Sequence, residues 1–178
     1  MAACVDRAAI TWVGMEYRYM PPVARLVAEI RGGFAGNLRM LAIREHRFPF
    51  LKKVDDWNRF NRNTGGTLVE KYCHFFDLMN LIVDRGEIEC FIPESLVVLG
   101  ERKGRAMEEI PIEVDKDVLE AGFHHGATYY QQRAFADAIR EGRSADVDVQ
   151  AGRKAVAIGV AAQQSIETGN PVELSSLA

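Results

Sequence analysis

The sequence predicts an α+β fold built as one domain, and three observations lead there. A β-branched and aromatic stretch feeds a helix near the N-terminus, short strand-like segments follow one another between Glu87 and Val114, and two long helical segments close the chain. With 178 residues there is enough chain to bury one real core, while two full domains would be crowded.

Taken in order, Ala9 to Tyr19 reads as a strand. Pro21-Pro22 then opens a helix that runs to about Ile30 and stops at Arg31-Gly32-Gly33. Leu38 to Arg47 predicts a second strand whose two faces do not separate into apolar and polar, which suits a strand covered on both sides. Phe48 to Asn63 has no period and reads as a long loop around Trp57, of the kind that often carries function. Thr64-Gly65-Gly66-Thr67 punctuates the chain before its most apolar helix, Leu68 to Val83. After a turn at Asp84-Arg85-Gly86, strands are expected at Glu87 to Ile92, Ser95 to Leu99 and Glu109 to Val114. The last two helices are expected from Ala127 to Arg140, ended by Gly142, and from Val149 to Glu167, ended by Gly169-Asn170-Pro171. Ala155, Ala157, Ala161 and Ala162 suit the second of these to close packing.

Bulk properties remove several function classes. A formal net charge of -3 with no Lys/Arg-dense stripe gives no footprint for nucleic acid. Cys4, Cys73 and Cys90 stand far apart with no C-x-x-C pair, so neither a disulfide framework nor a zinc knuckle is indicated. No apolar run approaches the roughly 20 residues that span a bilayer, and no leader pattern opens the chain. The expectation is a soluble cytoplasmic protein with no membrane or nucleic-acid partner.

Chemistry concentrates on the predicted helix from Leu68. At 3.6 residues per turn, His74 lies roughly 40° from Glu70 around the axis and Asp77 roughly 20° the other way, so the three share a face. Their neighbours are apolar almost all round, which predicts a buried helix. Such a stripe suits proton transfer, because an imidazole oriented by a carboxylate takes a proton from a hydroxyl near neutral pH. Gly65-Gly66 would let a ligand or another chain segment approach closely. The competing reading is structural: Glu70 or Asp77 pairs with one of Arg44, Arg47, Arg59 or Arg62, and His74 is a satisfied core histidine. Metal ligation has less support, since there is no H-E-x-x-H and His46, His124 and His125 offer no spacing to complete a site. His124-His125-Gly126 reads as a helix-entry loop with one solvent-facing histidine, contact with a substrate or metal being the alternative, and Tyr129 and Tyr130 read as packing the helix that follows or lining a pocket.

Several motifs in order resemble the glucose-fructose oxidoreductase/inositol dehydrogenase (Gfo/Idh/MocA) family. The segment from Gly65 to Asp77 looks like that family's glycine-rich entry to its catalytic helix, with an acidic residue four before the histidine and Asp three after. Val13 to Tyr19 with Pro21-Pro22 looks like the last nucleotide-domain strand and the helix leading into the substrate domain. His46-Arg47-Phe48-Pro49 and Trp57-Asn58-Arg59 look like substrate-side loops, and Gly122 to Ile139 with Val156 to Val172 look like the C-terminal helices and closing strand.

The resemblance implies a role for each matched residue. His74 would be the general acid/base on a sugar or polyol hydroxyl, and Glu70 would occupy the acidic position that orients it, one methylene longer than the Asp usual there. Asp77, Arg18, Arg47, Trp57 and Arg59 would bind substrate or support the pair. Phe48 stands where inositol-type members carry Asn, which argues against inositol itself. The family uses NAD(P), but no G-x-G-x-x-G occurs in this sequence and no cofactor-binding residue is assigned. The family's Glu-Lys-Pro lysine is also missing, Glu70-Lys71 being followed by Tyr72.

The implied architecture is an open mixed or antiparallel sheet with helices packed on one face, like the C-terminal domain of dihydrodipicolinate reductase. It would be shortened by loss of middle strands near Val83-Asp84 and would lack a complete Rossmann domain. Residues 1–20 would be the remnant of a nucleotide-binding strand and 21–178 the substrate-binding and oligomerisation domain. The expected function is a truncated NAD(P)-dependent oxidoreductase that is inactive alone. The alternative is a non-catalytic binding or oligomerisation module that forms a homo-oligomer or pairs with a full-length relative.

Overall fold

Pro21 and Pro22 have φ already set for a first helical turn, and α1 (Pro21–Arg31) begins there and closes at Gly32. Its buried residues Pro22, Val23, Leu26, Val27 and Ile30 follow helical spacing and form one apolar face. This is a computed structural model, and it describes residues 9–38, 40–45, 52–82, 89–91, 95–98, 108–121 and 124–174.

The strand expected over residues 9–19 does not form. Val13 N donates to Val147 O and Met15 N turns back to Val13 O, so the segment has no ladder, and Glu16–Tyr19 then coil into a 3-10 turn. Residues 38 and 40–45 are not a strand either. Leu38, Leu41 and Ile43 pack on the core while Met40 is exposed, so the segment is covered in part and not on both sides throughout. The loop expected from Phe48 contains, within its described part, a 3-10 turn at Val54–Arg59 with Asp55 and Asp56 in the left-handed region, then the single turn α2 (Asn61–Thr64).

The long apolar helix is divided into α3 (Thr67–Glu70) and α4 (Cys73–Ile82). At the junction Tyr72 N reaches back five residues to Thr67 O, and His74 N reaches back only three to Lys71 O. The Glu70 carbonyl receives the Cys73 thiol instead of the His74 amide. The 3.6-residue register slips there, so Glu70 does not share a continuous face with His74 and Asp77.

Strands β1 (Glu89–Phe91), β2 (Ser95–Val98) and β3 (Glu108–Pro111) form an antiparallel sheet in the order β1-β2-β3, with Cys90 opposite Leu96 and Leu96 opposite Ile110. They fall within or beside the expected windows, and α1 packs against β1 and β2. Helices α5 (Lys116–Glu120), α6 (Ala127–Glu141) and α7 (Val149–Thr168) follow. Asp148 caps α7 by accepting from Ala151 N. The α+β content therefore stands, with helix predominating and, among the described residues, one small sheet.

Two apolar clusters position the site. The larger joins Tyr17, Met20, the α1 face, Phe75, Leu78, Ile82 and Ala127; the smaller joins Met15, Cys73, Val147 and Ala155. Helix α7 lies across α3 and α4. Ala155 and Ala161 of this helix are buried, and glycine allows closer approach still: a Cβ at Gly159 would stand 2.4 Å from the Leu68 carbonyl oxygen, and one at Gly152 would meet Val13 at 2.8 Å.

Candidate active site around His74

A 3-10 turn advances about 120° per residue, so consecutive side chains leave it in different directions. Glu16, Tyr17, Arg18 and Tyr19 use this to reach several segments at once. Glu16 Oε2 lies 3.5 Å from His74 Nδ1 on the first turn of α4. The Tyr17 ring stacks on His74 with centroids 4.7 Å apart and planes inclined by 21°, and it also touches Phe75 and His124. Arg18 gives both Nε and Nη2 to the carboxylate of Asp77, and its Nη1 donates to Asp146 O at 3.3 Å. The Tyr19 hydroxyl donates to Asp146 Oδ2 at 3.0 Å.

Burial pushes the His74 pKa below its ordinary value. Glu16 and Asp77 oppose that shift, and Lys71 and His124 add to it. The imidazole is therefore held neutral at neutral pH and is able to accept a proton. Burial likewise raises the Cys73 thiol, which keeps it protonated and weakly nucleophilic.

The other expected site residues separate into two places. Asp77 is 1% exposed and both its oxygens are engaged by Arg18, and among the described residues none of Arg44, Arg59 or Arg62 pairs with it. Glu70 is held by Lys71 Nζ at 3.1 Å and Lys53 Nζ at 3.7 Å. Among the described residues no hydrogen bond or ion pair joins Glu70 to His74. Lys53 lies 5.2 Å from the Trp57 ring centroid, so Trp57 stands with Glu70, while Arg59 pairs with Asp56 at 3.1 Å. Arg47, like His46, Phe48 and Pro49, lies outside the described residues. One histidine of the His124-His125 pair is expected from the sequence to face solvent; both are half-buried, with His124 against Tyr17.

A cleft of about 270 Å³ opens beside the Arg18–Asp77 pair, between α4 and the first turns of α7. Asn80, Asp148, Gln150 and Lys154 line it with hydrogen-bonding groups, and His74 is not part of its wall.

The described residues do not fit a dinucleotide. Their strands are an antiparallel meander, without the strand, glycine-rich turn and helix that cradle a pyrophosphate. The Gly65-Gly66 turn is closed by the chain itself: a Cβ at Gly66 would meet Gln163 Oε1 at 2.9 Å and one at Gly65 would meet Val69 at 3.1 Å. No group of three or more His, Cys, Asp or Glu among the described residues is arranged to hold a metal. None of the described helices is long and apolar enough to cross a membrane.

Sequence reasoning missed Glu16. It is far from His74 along the chain, on a segment read as a strand, and no local period reports such a pairing. Residues 28–91, about a third of the chain, match the family model described as the oxidoreductase family, C-terminal alpha/beta domain. The matched span contains Glu70, His74 and Asp77, while Glu16 and Arg18 lie before it. No curated protein matches the chain.

Proposed function

We propose that this chain, whose residues 28–91 match the C-terminal alpha/beta domain of the Gfo/Idh/MocA oxidoreductase family, carries the substrate-side half of a hydroxyl-oxidising site. In this reading His74 is the general base for a sugar or polyol hydroxyl, and an NAD(P) held elsewhere would supply the hydride acceptor when bound. The observation that carries it is the half-buried His74 ring, stacked on Tyr17 inside the matched span and pushed toward its neutral form by burial. Asp77 and Arg18 hold the helix that presents it. The cleft beside them, one helical turn from His74, offers donors and acceptors suited to a hydroxyl-rich ligand. Arg47, Trp57 and Arg59 remain candidates for the substrate side, with Glu70 held among lysines nearby.

The nicotinamide would be bound by a nucleotide-binding domain outside residues 21–178, and without such a domain residues 21–178 would be inactive. A free Cys73 thiol is in keeping with a reducing, cytoplasmic location. The non-catalytic alternative, pairing with a full-length relative, is favoured by the misfit to a dinucleotide.

One experiment separates the two. A nucleotide-binding domain from a full-length family member, with the strands expected near Val83-Asp84, is fused to the chain, and NAD(P) reduction is followed over a panel of sugars and polyols. Turnover that drops about 10²–10⁴-fold in His74→Ala supports the acid/base role. Turnover undiminished in that variant refutes it, and assembly with a full-length relative without any turnover supports the module.

A further inference from the structure

We propose that Glu16 is the positioning residue of His74: its carboxylate, set opposite Nδ1 by the 3-10 turn, selects the tautomer protonated on Nδ1 and leaves Nε2 as the bare, basic nitrogen. This deepens the acid/base reading of His74 and takes its chemical meaning from it, but the geometry stands apart from that reading.

Three observations converge. Nδ1 is closed off from solvent and receives no hydrogen bond from the described residues, while Glu16 Oε2 stands 3.5 Å away. A buried ring nitrogen facing a carboxylate is stabilised as a donor, since two facing lone pairs would repel. The Tyr17 ring, 4.7 Å away and nearly parallel, restrains the imidazole plane so that the Nδ1 edge stays turned toward Glu16. Glu16 and Tyr17 are neighbours on one rigid turn, so restraint and acceptor arrive together.

The remaining groups around His74 do not supply that acceptor. Lys71, at the junction of α3 and α4, and His124, on the approach to α6, both disfavour the imidazolium. Asp77, on α4 itself, favours it, but both its oxygens are taken by Arg18. Glu70, the carboxylate the sequence pattern suggests for this task, is committed to Lys53 and Lys71. With Nδ1–H directed inward, Nε2 is left to take a proton, and the Glu16 charge steadies the imidazolium that results.

The test is ring nitrogen NMR of the full chain across pH, with the His74 signals assigned by their loss in His74→Gln. Above its titration, wild-type His74 is expected as the Nδ1–H tautomer. Glu16→Gln keeps the shape and removes the charge, so His74 should titrate at lower pH; Glu16→Met removes the acceptor, so the population should move toward Nε2–H. Glu70→Gln should perturb His74 less than either. An Nε2–H tautomer in the wild type overturns the proposal, as does a larger effect from Glu70→Gln than from Glu16→Gln. The wild-type tautomer decides even where a Glu16 variant does not fold. Because nothing here reads turnover, an Nδ1–H tautomer in a protein whose fused form survives His74→Ala would uphold Glu16 while refuting the catalytic reading.

Discussion

Replacing Gly159 by alanine tests the packing that places the site. The added Cβ would lie 2.4 Å from the Leu68 carbonyl oxygen, 2.9 Å from its carbon and 3.1 Å from Val69 Cα. Ordinary carbon–oxygen contacts begin near about 3.3 Å, so α7 and α3 must part by close to an ångström. The obstacle is backbone, so no side-chain rotation relieves it. Overpacking of this kind costs about 1–3 kcal/mol, and the severity of the overlap points to the upper end. Alanine returns about 1 kcal/mol through its better helix propensity. The net expectation is about 2 kcal/mol of lost stability, or a Tm about 4–8 °C lower for a chain of this size. Urea unfolding with an unchanged m-value provides the assay. Gly14→Ala, whose Cβ would meet nothing within 4 Å, is the control and should stay within about 0.5 kcal/mol of the parent. A Gly159→Ala protein as stable as the parent, or more so, refutes the contact between α3 and α7.

Two further outcomes follow from the same turn. Arg18→Met strips the buried Asp77 carboxylate of both donors and should cost about 3–5 kcal/mol in chemical denaturation, whereas Arg18→Met combined with Asp77→Leu should recover most of that loss; equal stability of the single and double variants would contradict the pairing. Burial first, then the hydrogen bond to Asp146, raises the Tyr19 phenol above its ordinary pKa. The folded chain thus holds this proton more tightly than the unfolded one, so the contribution is whole below the unfolded value near about 10 and is lost as pH rises through the folded value. An ultraviolet titration should show a late tyrosine step that Tyr19→Phe abolishes, and an unchanged titration in that variant would count against the assignment.

What could be read in advance was local. Pro21-Pro22 and Gly32 bracket α1, and Gly142 and Gly169 end α6 and α7 where expected, because caps and breakers act within a few residues. The three strands also fall within or next to their windows. Residues 9–19 and, in their described part, 38 and 40–45 failed for a shared reason: β-branched and aromatic residues favour a strand only when a partner offers a ladder of backbone groups, and the single bond from Val13 N to Val147 O is not a ladder. The slip at Lys71-Tyr72 leaves the hydrophobic period intact while changing the hydrogen-bond register, so the pattern could not reveal it. In the site, His74 and Asp77 stood out as ionisable groups in an apolar run. Of their partners, Arg18 entered only through the family resemblance and Glu16 not at all, because ion pairs formed across the core leave no periodic trace.

The turn from Glu16 to Tyr19 has a consequence for how the chain tolerates change in length. Four successive side chains engage His74, His124, Asp77 and Asp146 from a single coil. One residue gained or lost inside it would rotate every later side chain by about 120° and uncouple those links together. A point substitution there breaks one link and leaves the others in place, whereas a change in the number of residues breaks them together, so the count of this stretch is more tightly constrained than any single side chain in it.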